Sequence, residues 1–264
     1  MKTTSTTALT NQEYRTVKAF SKSDLDLIHK SPALAEWSKN APQTESEVAN
    51  IGTATHAALL EPDLFESDYI RMPKFDKHTK AGKEAAAAFA ETMQGKIVFS
   101  AEDYDLVVAM RDSTLAHPIA NKLLTSPGQS ETSIFFEMDG VKCKARPDRI
   151  TEIDGVHYVI DVKTSADVEK FNFSVRDYRY DVQDVFYSEA YKQLTGVKPR
   201  FIFVVVGKTK TFGRHPVRVF ELDQDSKDAA WLECSNDLEV AKEFEAFGLG
   251  IVEVEIISTP KKWK

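Results

Sequence analysis

The sequence predicts an α/β fold with a central mixed sheet flanked by helices, and three observations carry that expectation. Apolar residues recur at helical spacing through the first half of the chain. After Pro127-Gly128 the texture changes to short alternating apolar runs punctuated by Asp-Gly. Helical patterns then return and enclose one more pair of strands.

Residues 1–20, Thr-rich at the start, are expected to be a flexible segment. Residues 21–264 are expected to form one domain, because no Pro/Gly/Ser-rich linker divides them. Ser21 and Ser31 sit where N-caps sit, ahead of KSDLDLIHK and PALAEWSK, the second with Pro32 in its first turn. In NIGTATHAALLEP, a further helix, the small Ala54, Ala57 and Ala58 suit close approach to the sheet. Lys80 to Met93 has high helix propensity and stops at Gly95. Ser100, followed by Glu102 and Asp103, starts a helix to about His117, and Pro118 opens a short one through Leu124. ETSIFFEMDG, VKCKARPDRI and VHYVIDVKT are expected as three successive strands of one meander. They turn at Asp139-Gly140 and Asp154-Gly155, where the turn needs residues that tolerate positive φ. Helices are expected from Ala166 to Asp177 and from Asp181 to Leu194. Strands at FIFVVVG and VRVFEL then precede a last helix from about Asp225 to Phe247.

At 264 residues and 42% hydrophobic, the chain is long enough to bury a full core. A net charge of −7 argues against a protein that coats DNA by bulk electrostatics. It argues less against an enzyme, whose carboxylates can bind metal while local basic stripes meet phosphates. Cys143 and Cys234 stand far apart in sequence and form no ligand cluster, which argues against a disulfide scaffold, a structural zinc site or a four-cysteine cluster and suits a reducing cytosol. No apolar run reaches membrane-spanning length, and MKTTSTTALTNQEYRTVK lacks a signal-peptide core. A cytoplasmic protein without a membrane partner is expected.

In VHYVIDVKT a period of two puts Val159, Asp161 and Lys163 on one face and Tyr158, Ile160 and Val162 on the other. Asp148 follows Pro147 thirteen positions before Asp161, across a hairpin that brings the two strands together. Two carboxylates from adjacent strands, with a lysine beside one, suit a hard cation such as Mg²⁺. Such a cation polarises a phosphodiester and acidifies water, while Lys163 either orients that water or stabilises developing charge. Gln183 and Tyr187 share a helix face at i and i+4. His56 offers a neutral imidazole to a carboxylate metal site. For DNA contacts the candidates are Lys74, Lys77, Lys80 and Lys83, before and within the alanine-rich helix, with Arg176 and Arg179. Arg146 and Arg149 flank Asp148 and either meet the scissile strand or pair with nearby acids. Trp263, within PKKWK, either docks a terminus or contacts DNA.

Pro147-Asp148 followed by Asp161-Val162-Lys163 resembles the PD-(D/E)XK (restriction-endonuclease-like) nuclease signature, and the Gln183/Tyr187 pair resembles the extra motif of its RecB-type branch. The words SKSDLDLIHKSPALAEWSKNAP, GTATHAALLEPDLF, TKAGKE, ETSIFF, KARPDRI, IDVKTSAD and DYRYDVQDVFYSEAY, from about Ser21 to Phe220, resemble the RecE-type exonucleases (exonuclease VIII) and their phage-borne relatives. A weaker similarity, in ETSIFF, the paired acids and the Gln helix, extends to lambda exonuclease.

The resemblance implies that His56, Asp148 and Asp161 are side-chain metal ligands and that the Val162 carbonyl is a backbone ligand. It implies that Lys163 is the catalytic lysine, with Gln183 and Tyr187 in support. Glu131 matches an acidic position near the metals, against its alternative as a surface acid at a strand entry. The implied reaction is processive 5′→3′ digestion of double-stranded DNA from an end, dependent on Mg²⁺ with Mn²⁺ as a substitute, and without ATP. The absence of a G-x-x-x-x-G-K-[ST] loop agrees with the last point. The implied partners are a RecT-type single-strand annealing protein, which receives 3′ single-stranded tails, and further copies of the chain in a ring-shaped homo-oligomer. Two other readings compete: a structure-specific or Cas4-like nuclease, against which the missing four-cysteine set counts, and a non-catalytic DNA-end-binding recombination scaffold.

Overall fold

The structure is a computed structural model, and it describes residues 2–7, 9–41, 50–76 and 78–248. The first residues differ from expectation. Thr4–Thr6 form strand β1, and Asn11–Thr16 form helix α1, closed by a reciprocal capping box between Thr10 and Glu13. Lys144 and Arg146 explain the order, because both donate to carbonyls of this segment: Lys144 Nζ to Tyr14, Arg15 and Val17, and Arg146 to Leu9. A Thr-rich composition says nothing of such distant donors.

Ser21 and Ser31 cap α2 (Lys22–Lys30) and α3 (Pro32–Asn40) as expected. Asn50 caps α4 (Ile51–Leu60), and Pro62 opens α5 (Pro62–Asp68). A short parallel pair, β2 (Tyr69–Arg71) and β3 (Ile97–Phe99), brackets α6 (Lys80–Thr92). Next come α7 (Ala101–Ala116), capped by Ser100, and α8 (Pro118–Thr125), capped by His117.

The expected three-strand meander is two hairpins in two sheets. Proline has no N–H to give a ladder, and Pro147 interrupts VKCKARPDRI. On one side β5 (Ser133–Met138) and β6 (Val141–Ala145) join β1 in a three-stranded sheet. On the other, β7 (Arg149–Ile153) and β8 (Val156–Ser165) enter a five-stranded sheet. Its remaining strands are β4 (Gly128–Ser130), β9 (Arg200–Gly207) and β10 (Val217–Phe220), in the order β10-β9-β8-β7-β4. Only β8 and β9 run parallel, so the sheet is mixed. Both Asp-Gly turns take positive φ at both positions, 50° and 80° at Asp139-Gly140 and 55° and 78° at Asp154-Gly155.

Between β8 and β9 lie one turn of 3₁₀ helix, α9 (Phe171–Asp177) and α10 (Tyr180–Thr195), the last ending at the left-handed Gly196. Helix α11 (Gln224–Phe247) closes the described chain. Strands β8 and β9 are covered on both faces, which accounts for the unbroken apolar run FIFVVVG. Ile160, Val162, Ile202 and Val204 pack on Leu123 and Leu124 of α8 and on Leu59 and Leu60 of α4. Val159, Phe201, Phe203 and Val205 pack on Phe171 and Tyr191. A separate core holds the small sheet against α2, α10 and α11 through Phe136, Cys143, Leu25, Phe186 and Leu238. Helix α4 does run close to the central sheet, but its contacts there are through Leu59 and Leu60, and Ala54, Ala57 and Ala58 join a different cluster. They face Phe65, Tyr69, Phe99 and Val107, in a satellite core under α5 and α7. Among the described residues no helix is long and apolar enough to cross a membrane.

One buried acid within this frame makes stability depend on pH. Asp184 on α10 accepts from Ser188 Oγ at 3.1 Å and lies 3.6 Å from Lys227 Nζ. Burial, only partly opposed by Lys227 and Ser188, pushes its carboxyl from 3.8 up to about 6. The folded state therefore holds this proton more tightly than the unfolded chain, so its contribution is full below the ordinary value and is lost as pH rises toward about 6. Asp184→Asn should gain on the native protein by up to about 3 kcal/mol between about pH 4 and about pH 7. Melting curves of the two proteins across that range check this; parallel pH profiles would exclude Asp184 as the source.

Candidate active site

Strand β8 carries Val159, Asp161 and Lys163 to the face covered by α9 and α10, as a period of two requires. Asp161 is 1% exposed. Gln183 Nε2, from the first turn of α10, donates to its Oδ1 at 2.5 Å, and Lys163 Nζ stands 2.6 Å from its Oδ2. The lysine contact is close enough for an ion pair but poorly aligned as a hydrogen bond. Burial acts to lower the Lys163 ammonium, but Asp161 and Asp148 together outweigh it and hold the group above its ordinary value. Its Nζ also lies 4.5 Å from the centre of the Tyr180 ring, so a fixed charge sits between carboxylates and an aromatic face.

Asp148 reaches this point because Pro147 ends one sheet and β7 begins the next. The last ladder pair is Arg149 with Ile160, so Asp148 stands one step beyond it, level with Asp161. Its Oδ2 accepts the Val162 N–H at 2.7 Å and lies 3.3 Å from His56 Nδ1. Burial pushes this carboxyl up to about 6, with His56 opposing and Asp161 reinforcing. His56 arrives from α4, whose first turn runs close by β8: a Cβ built on Gly52 would stand 3.5 Å from Thr164 Oγ1.

Glu131 belongs to the same cluster. It takes a left-handed φ of 51°, its N–H donates to the Asp148 carbonyl at 3.0 Å, and its own carbonyl accepts from Arg146 Nε at 3.0 Å. Burial, then the charges of Asp148 and Glu61, push its carboxyl up to about 8. Tyr187 is held protonated, well above its ordinary value, by burial and by the nearby Tyr14, Asp161 and Asp148.

The donor types fit a hard divalent cation: carboxylates that raise one another, one imidazole and the backbone of Val162 meet where β7 begins beside the middle of β8. Among the described residues no three His, Cys, Asp or Glu side chains yet enclose such an ion. The reason is local. Both Asp161 oxygens face Gln183 and Lys163, and one Asp148 oxygen is engaged by Val162 and His56.

The cationic candidates for DNA separate clearly. Arg146 also donates to Asn11 Oδ1 at 2.8 Å and stacks over Tyr14, so it pairs structurally. Arg149 donates to Ser130 Oγ at 3.0 Å and to the Ser126 carbonyl. Arg179 is held by Asp26, Glu233 and Asp237, and Arg176 pairs with the adjacent Asp177 in solvent. Lys80 and Lys83 are exposed on α6, Lys80 being 3.8 Å from Glu84, and Lys74 is exposed ahead of it. Lys77 and Trp263 lie outside the described residues. Sequence reasoning misses Tyr180. Its position three residues before Gln183 puts both on one helix face, which is the signal that could have found it.

A family model described as a PDDEXK-like domain of unknown function (DUF3799) matches residues 16–246. No curated protein matches the chain. Among solved structures, a chain from Eubacterium rectale named as a candidate exonuclease aligns with TM-score 0.60 at 16% identity, over 95% of this chain and 96% of that one. At that identity the likeness speaks for the fold. A structure named SSO0001 aligns with TM-score 0.30 at 14% identity, over 70% of this chain and 84% of that one, too distant to carry an argument.

Proposed function

Since the chain belongs to this family of PDDEXK-like domains, we propose that it is a Mg²⁺-dependent exodeoxyribonuclease that resects double-stranded DNA ends 5′→3′. The observation that carries the proposal is the placement of Lys163 Nζ 2.6 Å from Asp161, beside Asp148, where β7 begins. A structural ion pair has no need of a second buried acid, which adds a desolvation cost of its own.

Asp148, Asp161, His56 and the Val162 carbonyl would hold the cation, Mg²⁺ or Mn²⁺, with Glu131 beside them. When bound, it would supply charge stabilisation at the scissile phosphate and a more acidic water. Lys163 holds its proton at Nζ and offers it as a donor to the attacking water or to the phosphate oxygens. Gln183 fixes one oxygen of Asp161, which leaves the carboxylate a single orientation. Tyr187, kept protonated, adds a neutral group behind the acids. Hydrolysis adds water across one P–O bond, leaving a phosphate on one fragment and a hydroxyl on the other.

The resemblance over Ser21 to Phe220 supports the finer reading: 3′ single-stranded tails passed to a RecT-type annealing protein, a ring-shaped homo-oligomer, no ATP and a phage-borne origin. End-labelled linear duplexes carrying a 5′-phosphate or a 5′-hydroxyl, digested with and without Mg²⁺, test polarity and cofactor together. Release of labelled 5′ nucleotides only with Mg²⁺ is expected. Equal binding without cleavage in both conditions would favour the recombination scaffold, and cutting of nicked circles or flaps in preference to ends would favour a structure-specific nuclease. Native mass measurement reads the ring directly.

A further inference from the structure

A groove of about 450 Å³ opens immediately beyond Lys163. Thr164 and Ser165, which continue β8, form part of its wall, and Tyr180, whose ring lies against the Lys163 ammonium, forms another. Tyr180 is thus shared between the groove and the candidate site. Its outer rim carries two aromatic side chains in solvent, Phe173 at 51% exposure and Tyr178 at 62%. Large exposed rings beside a polar cleft call for a partner.

The platform is rigid. Tyr178 and Tyr180 stack at 5.5 Å between ring centres, and Tyr180 stacks in turn on the buried Phe171 at 5.9 Å. The residue between the tyrosines, Arg179, has a left-handed φ of 52° and is anchored by three acids. Lys22 Nζ fixes the Tyr178 carbonyl at 2.6 Å. This anchoring holds the Tyr178 ring at the mouth of the groove with little freedom left to lose on binding. The same wall carries Lys170, 3.7 Å from Asp167, and Asp177, paired with Arg176, so Lys208 is the cation placed for a phosphate.

We propose that this groove binds an unpaired nucleotide of the strand being cut, its base stacked on Tyr178 and Phe173 and its phosphate near Lys208. The proposal rests on the nuclease reading for the identity of the strand. Base-paired DNA hides its base faces in the stack, so a ring platform beside the reacting centre selects a strand that is already opened. The substrate end therefore frays before cleavage, and the specificity lies in the single strand.

The test uses single-stranded oligonucleotides containing 2-aminopurine, whose fluorescence falls on stacking, mixed with the full chain in EDTA. Quenching is expected with the native protein. Tyr178→Ala and Phe173→Ala should each lose part of it and bind about 5- to 150-fold more weakly, corresponding to about 1–3 kcal/mol per stacked base. Tyr178→Phe should retain both signals, which separates stacking from any effect of the hydroxyl, and melting curves confirm that the exposed-ring variants fold. Absence of quenching with the native protein, or quenching that neither alanine variant alters, would overturn the groove. Digestion of linear duplex with Mg²⁺ is read separately: a protein that cleaves DNA but does not stack 2-aminopurine keeps the nuclease and loses the groove. One that stacks the base but cleaves nothing keeps the groove and loses the nuclease.

Discussion

Lys163→Ala is expected to slow nucleotide release from linear duplex DNA by about 10²- to 10³-fold, the usual effect of removing one donor aimed at developing charge. Asp161→Ala should be at least as damaging, because it removes the partner of both Lys163 Nζ and Gln183 Nε2. The two variants differ in what they do to the cation. Lys163→Ala leaves the proposed ligands in place and should still bind Mn²⁺, measured by electron paramagnetic resonance. Asp161→Ala should bind it far more weakly. Native-like rates in Lys163→Ala would remove the lysine from the chemistry, and undiminished Mn²⁺ binding in Asp161→Ala would remove that acid from the metal set.

The second large effect concerns stability. Arg179→Ala should lower it by about 3–5 kcal/mol, because Asp237 is 3% exposed and would lose the guanidinium 2.5 Å away that pairs with it. For a domain of this size that is a fall in melting temperature of roughly 10 °C. His29, 2.9 Å from the other Asp237 oxygen, offsets part of the loss when protonated. If the variant melts as the native protein does but binds DNA more weakly, Arg179 is a phosphate contact and its three acids are incidental.

Much of this molecule can be read from local pattern. Alternation in VHYVIDVKT places Asp161 and Lys163 side by side, and the structure keeps them there. The Asp-Gly turns, the serine caps and the helix that carries Gln183 follow from backbone preferences that act over a few residues. Non-local facts are not legible in this way. Pro147 is visible in the sequence, but that the hairpin before it takes β1 as a third strand of its own sheet is not. Arg146 and Arg149 flank Asp148 in sequence, yet carbonyls contributed from other parts of the chain decide where they point. Arg179 reads as a surface cation until Asp26 and Asp237, from two other helices, are brought to it. The satellite core that takes the α4 alanines is likewise invisible, because short helical patterns do not say which neighbour they face.

The clamp on the first residues has a practical bearing on how the protein is handled. Arg146 holds Leu9 and Asn11, Lys144 holds Tyr14 to Val17, and Asp148 lies two positions beyond Arg146 along the same strand connection. A protease nick or a trimmed start upstream of Ser21 would remove the carbonyls that hold Lys144 and leave Arg146 only its bond to Glu131, without touching any residue of the reacting set. If the proposed function holds, such a shortened protein is expected to cleave linear duplex more slowly although every proposed site residue remains, which a digestion assay of the trimmed and full chains checks.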